Sequence, residues 1–313
     1  MSSVSFSRRT LAALTLLGAL IGALSGCASP NGEATDSRSS DAQVADSAVV
    51  AQKVEAARER LTQNEGGRLV LDAIDAHGGL QAWYRAPTSS YVWTYANVGA
   101  DLQFTTLGVI DNQTRRAYHD LRSVGPYENP QPVDARFAWD GETAWIAPDS
   151  LQQPNPHFWA LTGFYFEQIP FVLADPGLRY ERLPDETLDG TTYDMVRVAF
   201  DRGVGDTPGD TYTLYVHPET RQVDAIRYTV SYGQDVEPGA DLPETLFEYR
   251  DFVTVDGLTV ATRFEGFSFA NGTRGDFKNR ALADSISFRR PFDASRLEPP
   301  PNARIVPPPT PDS

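Results

Sequence analysis

The sequence predicts a mainly β fold with a few helices, built as one strongly curved antiparallel sheet covered by short helices. Three observations predict it. From Ser90 onward apolar and aromatic residues recur at period two: Tyr91, Trp93 and Tyr95; Tyr212, Leu214 and Val216; Ile226, Tyr228, Val230 and Tyr232; Phe247, Tyr249, Val253 and Val255; Leu258, Val260 and Phe264. The dipeptides Asp140-Gly141, Asp189-Gly190, Asp256-Gly257 and Asn271-Gly272 separate the runs, and such pairs suit tight hairpins because both central residues adopt positive φ. No helical stretch follows each strand, which excludes a parallel α/β sheet and leaves a meander of ten or more strands.

The chain begins with an export signal. Arg8 and Arg9 precede the apolar run from Leu11 to Leu24, which is shorter than the roughly 20 residues a membrane-spanning helix needs. The residues Leu24-Ser25-Gly26-Cys27 read as a lipoprotein cleavage box, with residues 1–26 removed and Cys27 acylated. A plain secretory signal with a leftover cysteine is the alternative, and the residues around Arg8-Arg9 do not complete a twin-arginine motif, so the general secretory route is expected. As the chain's one cysteine, Cys27 also leaves no internal disulfide and no cysteine-based zinc site. Diacylglycerol and N-acyl chains on Cys27 would hold the protein on a membrane durably. Without Asp at Ala28, proteobacterial sorting rules point to the outer membrane, and the periplasmic face is the expected side, with the cell surface as the alternative.

Residues 27–48 follow as acylated cysteine and tether, since they hold no aromatic and almost no large apolar residue. The folded domain is expected at 49–298. Helix-period residues run from Val49 to Leu61 and from Gly67 to Ala76, and His77-Gly78-Gly79 ends the second stretch, glycine taking the left-handed position beyond a helix without steric cost. The strand pattern then continues to a break at Asn155 to Asp175, a segment dense in aromatics that reads as one or two short helices interrupted near Pro170. Asp201 to Asp210 has a superficial calcium-loop look without the ligand spacing, and reads as a solvated loop. Residues 299–313, with seven prolines, are expected to form a stiff, disordered tail without sheet capacity.

A formal charge of −15 argues against nucleic acid as a partner, because polyanion binding needs clustered Lys and Arg. Only Lys53 and Lys278 are lysines, a pattern that fits either a salty habitat or a GC-rich genome. The four histidines, His77, His119, His157 and His217, are too far apart for a local ligand pair, so no metal or other cofactor is expected. The nucleophile elbow, SxxK and phosphate-loop signatures are missing. Asp140 with Glu142, or Asp185 with Glu186, could do acid-base work, but each pair also has a structural reading in a turn or loop.

What remains is apolar surface: 16 Phe, 13 Tyr and 5 Trp are many for one sheet. They either fill a core or leave a hollow for a ligand, since a curved sheet has more concave face than a few helices can cover.

Four stretches resemble a known superfamily. They are Ala73 to Trp83 (AIDAHGGLQAW), Trp139 to Trp145 (WDGETAW), Leu214 to Val223 (LYVHPETRQV) and Tyr249 to Leu258 (YRDFVTVDGL). Together they look like the LolA/LolB-like lipoprotein-carrier superfamily, most of all lipoproteins of Bacteroidota and relatives that start with a helix ending in His-Gly-Gly. The resemblance implies an unclosed half-barrel plugged by short helices, with acyl chains bound in the hollow and residues 155–175 as the plug. It further implies that Phe158, Trp159, Phe164 and Phe166 face or gate the hollow, while Trp93, Tyr95, Phe104 and Trp145 line it; a core role stays open for each. The functional expectation is a monomeric, membrane-anchored lipoprotein that binds a lipid or other hydrophobic ligand without catalysis. A lipoprotein that docks an envelope partner and an envelope hydrolase are the alternatives.

Overall fold

The computed structural model describes residues 47–201, 209–232 and 242–308. The signal, Cys27 and nearly all of the tether lie outside the described residues, as does most of the 201–210 loop. Three helices open the domain: α1 (Ser47–Leu61), α2 (Glu65–Ala76) and α3 (Gly79–Arg85). Asn64 caps α2 by accepting a hydrogen bond from the Gly67 amide at 2.8 Å. The His-Gly-Gly stop works as expected and also starts α3, which the periodicity did not suggest. Gly78 has φ of 119°, and a Cβ there would strike the Gly257 carbonyl. His77 ties this corner to the sheet: its Nδ1 donates to the Thr259 carbonyl at 2.8 Å, and its Nε2 accepts from the Val223 amide at 3.2 Å.

Strands β1 (Thr88–Asn97), β2 (Leu102–Asp111), β3 (Ala117–Gly125), β4 (Gln131–Trp139) and β5 (Ala144–Ala147) form one meander. Helix α4 (Pro156–Glu167) and a 3-10 turn at Phe171–Ala174 follow, interrupted as the sequence suggested by Pro170. The second meander comprises β6 (Leu178–Leu188), β7 (Thr191–Phe200), β8 (Thr211–Val216), β9 (Val223–Tyr228), β10 (Glu244–Val255), β11 (Leu258–Ala270) and β12 (Thr273–Ser287). A short β13 (Arg304–Val306) is the last element of the described residues.

All are antiparallel in one unclosed sheet, in the order β13-β5-β4-β3-β2-β1-β12-β11-β10-β9-β8-β7-β6. Strands β5 and β6 are successive in the chain but lie near opposite ends of the sheet. The segment joining them must therefore cross the sheet's face, and it does so as α4 and the 3-10 turn. Topology alone puts a helical plug into the hollow.

At the hairpins, Asp189-Gly190, Asp256-Gly257 and Asn271-Gly272 have both residues at positive φ. At Asp140-Gly141 only the glycine does, and the Asp140 carboxylate instead accepts from the Glu142 and Thr143 amides. Asp251, with φ of 55°, breaks the alternation in β10, so Phe252 joins the core and Val253 is exposed. Register shifts in β1, β2, β3 and β11 add the local twist that a curved sheet needs.

The main core fills the space between the inner face and the helices. On the outer face, a small cluster of Val109, Tyr118, Ala138, Trp145 and Leu297 is covered by the C-terminal segment. A second outer cluster around Tyr193, Met195, Tyr215 and Phe269 is roofed by Arg227, whose guanidinium lies 4.8 Å from the Phe269 ring centroid and pairs with Glu186 at 3.2 Å. One expectation is corrected here: residues 304–306 are not a disordered tail but a strand paired with β5. Proline cannot donate within a ladder, yet Pro299-Pro300-Pro301 and Pro307-Pro308-Pro309 only flank Arg304-Ile305-Val306, which has free amides and sits at the sheet edge, where a short strand is tolerated.

Candidate functional site

Helix α4 is set in place by Pro156 at its start and by the Asn155 side chain, which accepts from the His157 amide at 3.0 Å. It is apolar nearly all round, which fits a helix with two buried faces. Phe158, Leu161, Thr162, Tyr165 and Phe166 follow the i, i+3, i+4, i+7, i+8 spacing, and this stripe lines a cavity of about 330 Å3. The opposite side carries Ala160, Gly163, Phe164 and Glu167, all buried in the core. Gly163 lets the helix settle on the Trp93 indole, which a Cβ would meet at 3.3 Å.

Val172, Leu173 and Leu178 form one wall of the cavity, and Phe200, Tyr212 and Tyr228 form another. Trp139, His157 and Tyr232 close one end, where His157 Nδ1 and the Tyr232 hydroxyl are 3.0 Å apart. Phe166 packs edge-on to Tyr228 at 4.7 Å between centroids, and Phe200 to Tyr212 at 5.6 Å. Two carboxylates also line the space. Asp175 is paired with Arg115 at 2.6 Å, while Asp210, buried at the surface end of β8, lies 3.4 Å from the Thr229 hydroxyl. Burial, reinforced by Asp210, raises the Tyr212 phenol above its ordinary pKa, and burial does the same for Tyr228. Among the described residues, no Lys or Arg lines this cavity.

A second, more polar hollow of about 480 Å3 lies between α1, α3 and the β2–β3 turn, bordered by Lys53, Arg60, Tyr84 and Arg115. Asp175 borders both spaces.

Of the eight aromatics expected at the ligand, Phe158 and Phe166 line the cavity. Five others, Trp93, Tyr95, Phe104, Trp159 and Phe164, pack the core around α4. Trp159 sits 4.4 Å from Tyr95 and 4.9 Å from Phe104 between centroids, and Trp93 lies 5.2 Å from Phe264. Phe164 is fully buried against Trp83 with the Arg115 guanidinium 4.9 Å from its ring centroid. Helical phase puts Phe164 on the side away from the stripe, whereas Trp159 shares nearly the phase of Phe166 and is turned to the core by its contacts with Tyr95 and Phe104. Trp145 is on the other side of the sheet altogether. It lies opposite Ala138, which lies opposite Tyr118, so all three face outward, and its indole donates to the Leu297 carbonyl at 2.7 Å. The cavity residues that the sequence reading did not place at the ligand include Leu161, Val172, Leu173, Phe200, Tyr212 and Tyr228. The α4 stripe was there to be counted, whereas strands β7 to β9 join it only through the fold.

The carboxylate pairs weighed for acid-base work have structural partners. Asp140 caps its own turn; Asp185 binds Arg182 at 2.5 Å; Glu186 accepts from the Tyr215 hydroxyl at 2.5 Å and pairs with Arg227. Among the described residues, no three His, Cys, Asp or Glu side chains are grouped to hold a metal, and no helix is long and apolar enough to cross a membrane.

The fold and cavity together define an unclosed antiparallel sheet with a helix set in its hollow and an apolar space beside that helix. Among solved structures, the chain is similar to a LolA-superfamily protein from Nitrosomonas europaea, at 11% identity and a TM-score of 0.47, covering 75% of this chain and 98% of that one. It is also similar to a DUF1329-family protein from Desulfovibrio piger (10% identity, TM-score 0.42, 80% and 97% covered). A third likeness is to an outer membrane lipoprotein-sorting protein domain from Vibrio parahaemolyticus (10%, 0.35, 79% and 97%). The first of these carries the superfamily name to which the sequence motifs point. No family model and no curated protein matches the chain.

Proposed function

We propose that this protein is an envelope lipoprotein, anchored through acylated Cys27, that holds a hydrophobic molecule or acyl chain in the cavity beside α4 and performs no chemistry on it. The observation that carries this reading is the cavity itself. Its volume falls in the range of roughly 300–1,000 Å3 typical of small-ligand sites, and its lining is chiefly aromatic and aliphatic. Burial of apolar ligand surface, at about 25 cal/mol per Å2, supplies the affinity. Ala28 at the sorting position supports outer-membrane placement, and residence on the periplasmic face completes the proposal.

The test is to produce residues 47–313 without Cys27 through a secretory signal, purify from the periplasm, and run native mass spectrometry with lipid extraction. A stoichiometric adduct of lipid mass is expected, and Phe158→Asp, at the cavity wall, should lose it while keeping the thermal transition. Trp159 is unsuitable for this purpose because its ring is part of the core. A clean mass that stays clean after incubation with envelope lipids would overturn the binding reading and leave a docking lipoprotein in its place.

A further inference from the structure

Helix α1 turns a cationic stripe toward the second hollow, the one between α1, α3 and the β2–β3 turn. Lys53, Ala56 and Arg60 recur at i, i+3 and i+7, so they share one side of the helix, beside the buried positions Val50, Ala57 and Leu61 that seat it. Ala56 is small and leaves room between the two cations. Trp83 and Tyr84 of α3 form the facing wall, and Gln113 and Arg115 of the β2–β3 turn border the space with Asp175.

The charges there do not cancel. Asp175 is the one carboxylate among the described residues that border the hollow, and Arg115 holds it at 2.6 Å while also donating to the Asn112 carbonyl. That pair leaves Lys53 and Arg60. The Lys53 ammonium has one long contact, 3.4 Å to the Gln113 side-chain oxygen, and Arg60 donates to the neutral Ala56 and Ala174 carbonyls. The Arg60 Nε is buried and has no acceptor, so one N–H of the guanidinium is left for a bound group to satisfy. Tyr84 lies beside Arg60, and burial together with the Asp175 charge raises its pKa, so its phenol keeps its proton and adds a donor. In a chain of 42 acids and 27 bases, with only two lysines, a pair of cations left over at one hollow runs against the charge of the rest of the surface.

We infer that this hollow binds a phosphate monoester, its oxygens between Lys53 and Arg60 and its organic group toward Trp83 and Tyr84. A monoester carries a charge of about −1.5 to −2 near neutral pH and three acceptor oxygens, which suits two cations and a phenol, whereas a diester brings one charge and fewer free oxygens. A volume of about 480 Å3 also has space for the group attached to the phosphate. The same phosphate can arrive on a small soluble ester or as the head of a phosphatidic acid in a membrane.

Calorimetry at low ionic strength tests the site, using residues 27–313 with Cys27→Ser titrated with glycerol 3-phosphate and with diethyl phosphate. The monoester is expected to bind one to one and about fivefold or more tighter than the diester. Lys53→Gln should weaken it by about fivefold or more, while Lys278→Gln, the same change on the other lysine, far along the chain on β12, should leave it within about twofold. Sedimentation with phosphatidylcholine vesicles, with and without phosphatidic acid, separates the sources: binding that needs both phosphatidic acid and Lys53 assigns the lipid head, and glycerol 3-phosphate binding without vesicle preference assigns a soluble ester. The site is overturned if neither monoester binds, if the diester binds as tightly, or if the two lysine variants weaken binding alike, which would be the effect of overall charge. None of these readouts involves the apolar cavity beside α4, so the failure of this site and the failure of the lipid-binding reading are told apart.

Discussion

Three buried titratable side chains give the fold a pH dependence whose sign can be worked out residue by residue. His77 and His119 are neutral and buried, and burial lowers each to about 4. His119 stacks on Phe137 at 4.3 Å, and its Nε2 donates to the Ala160 carbonyl of α4 at 2.9 Å. An unfolded histidine takes up its proton near pH 6.5, so the unfolded state binds more protons between about 6.5 and 4, and stability is lost as pH falls through that window. Glu167 acts in the opposite direction. It is fully buried, neither carboxyl oxygen has a hydrogen-bond partner, and burial holds its pKa far above the ordinary carboxyl range. Its folded form keeps the proton, so the stability it allows is complete below an unfolded pKa of about 4.5 and declines as pH rises. Urea midpoints of the wild type should therefore fall on acidification from pH 6.5 to 4. Those of Glu167→Gln should exceed wild type by a margin that grows from pH 5 to pH 8; a constant margin would mean that Glu167 does not hold a proton in the fold. None of this was legible in the sequence, where His77 read as a helix-ending residue and Glu167 as one acid among 42 acidic side chains, because burial of a single polar group is decided by packing from elements distant in the chain.

At the scale of elements, hairpins and helix ends were the most legible features because they depend on local stereochemistry. Asp-Gly and Asn-Gly placed the β6–β7, β10–β11 and β11–β12 turns, and His77-Gly78-Gly79 placed the end of α2. The identity of the plug was equally plain, since residues 155–175 break the period-two pattern. Its orientation was not read, although the phase of its apolar stripe contains part of it: Phe158 and Phe166 face the cavity and Phe164 the core, while Trp159, in nearly the phase of Phe166, is drawn to the core by Tyr95 and Phe104. Gly163 fixes that orientation by allowing the helix down onto Trp93. Gly163→Val should push α4 off the indole and cost about 1–3 kcal/mol of stability, the usual penalty for overfilling a packed core. Denaturant unfolding measures it, and a variant as stable as wild type would show that the helix is not seated through this contact. The loss should come with a change in ligand retention, because the helix that is displaced carries the cavity's longest wall.

At the scale of the whole molecule, the two meanders are joined at β1 and β12, and the chain must then return from the centre of the sheet to its β5 edge. It does so over the outer face, through the 3-10 turn at Ala294–Leu297, and ends by adding β13 to β5. The prolines of residues 299–313 concealed this step, because composition describes the average of a segment and a strand at an edge needs only three residues with free amides. Arg304 fastens it further by donating to the Leu151 carbonyl at 2.6 Å, and the Asn302 carbonyl accepts from the Asp149 amide at 2.8 Å. These bonds hold the stretch that leads from β5 into α4, so the C-terminal segment bears on the plug as well as on the sheet edge. Ending the chain at residue 298 should therefore lower stability by about 1–3 kcal/mol, the sum of a few net hydrogen bonds. It should also speed amide exchange at Ile146 and Ala147 on β5 and at Asp149 and Leu151 beyond it, while β8 and β9 exchange at the wild-type rate. Unchanged exchange along β5 would return residues 299–313 to the role of a loose tail, and faster exchange everywhere would mean that the truncation weakens the domain as a unit without releasing this edge first.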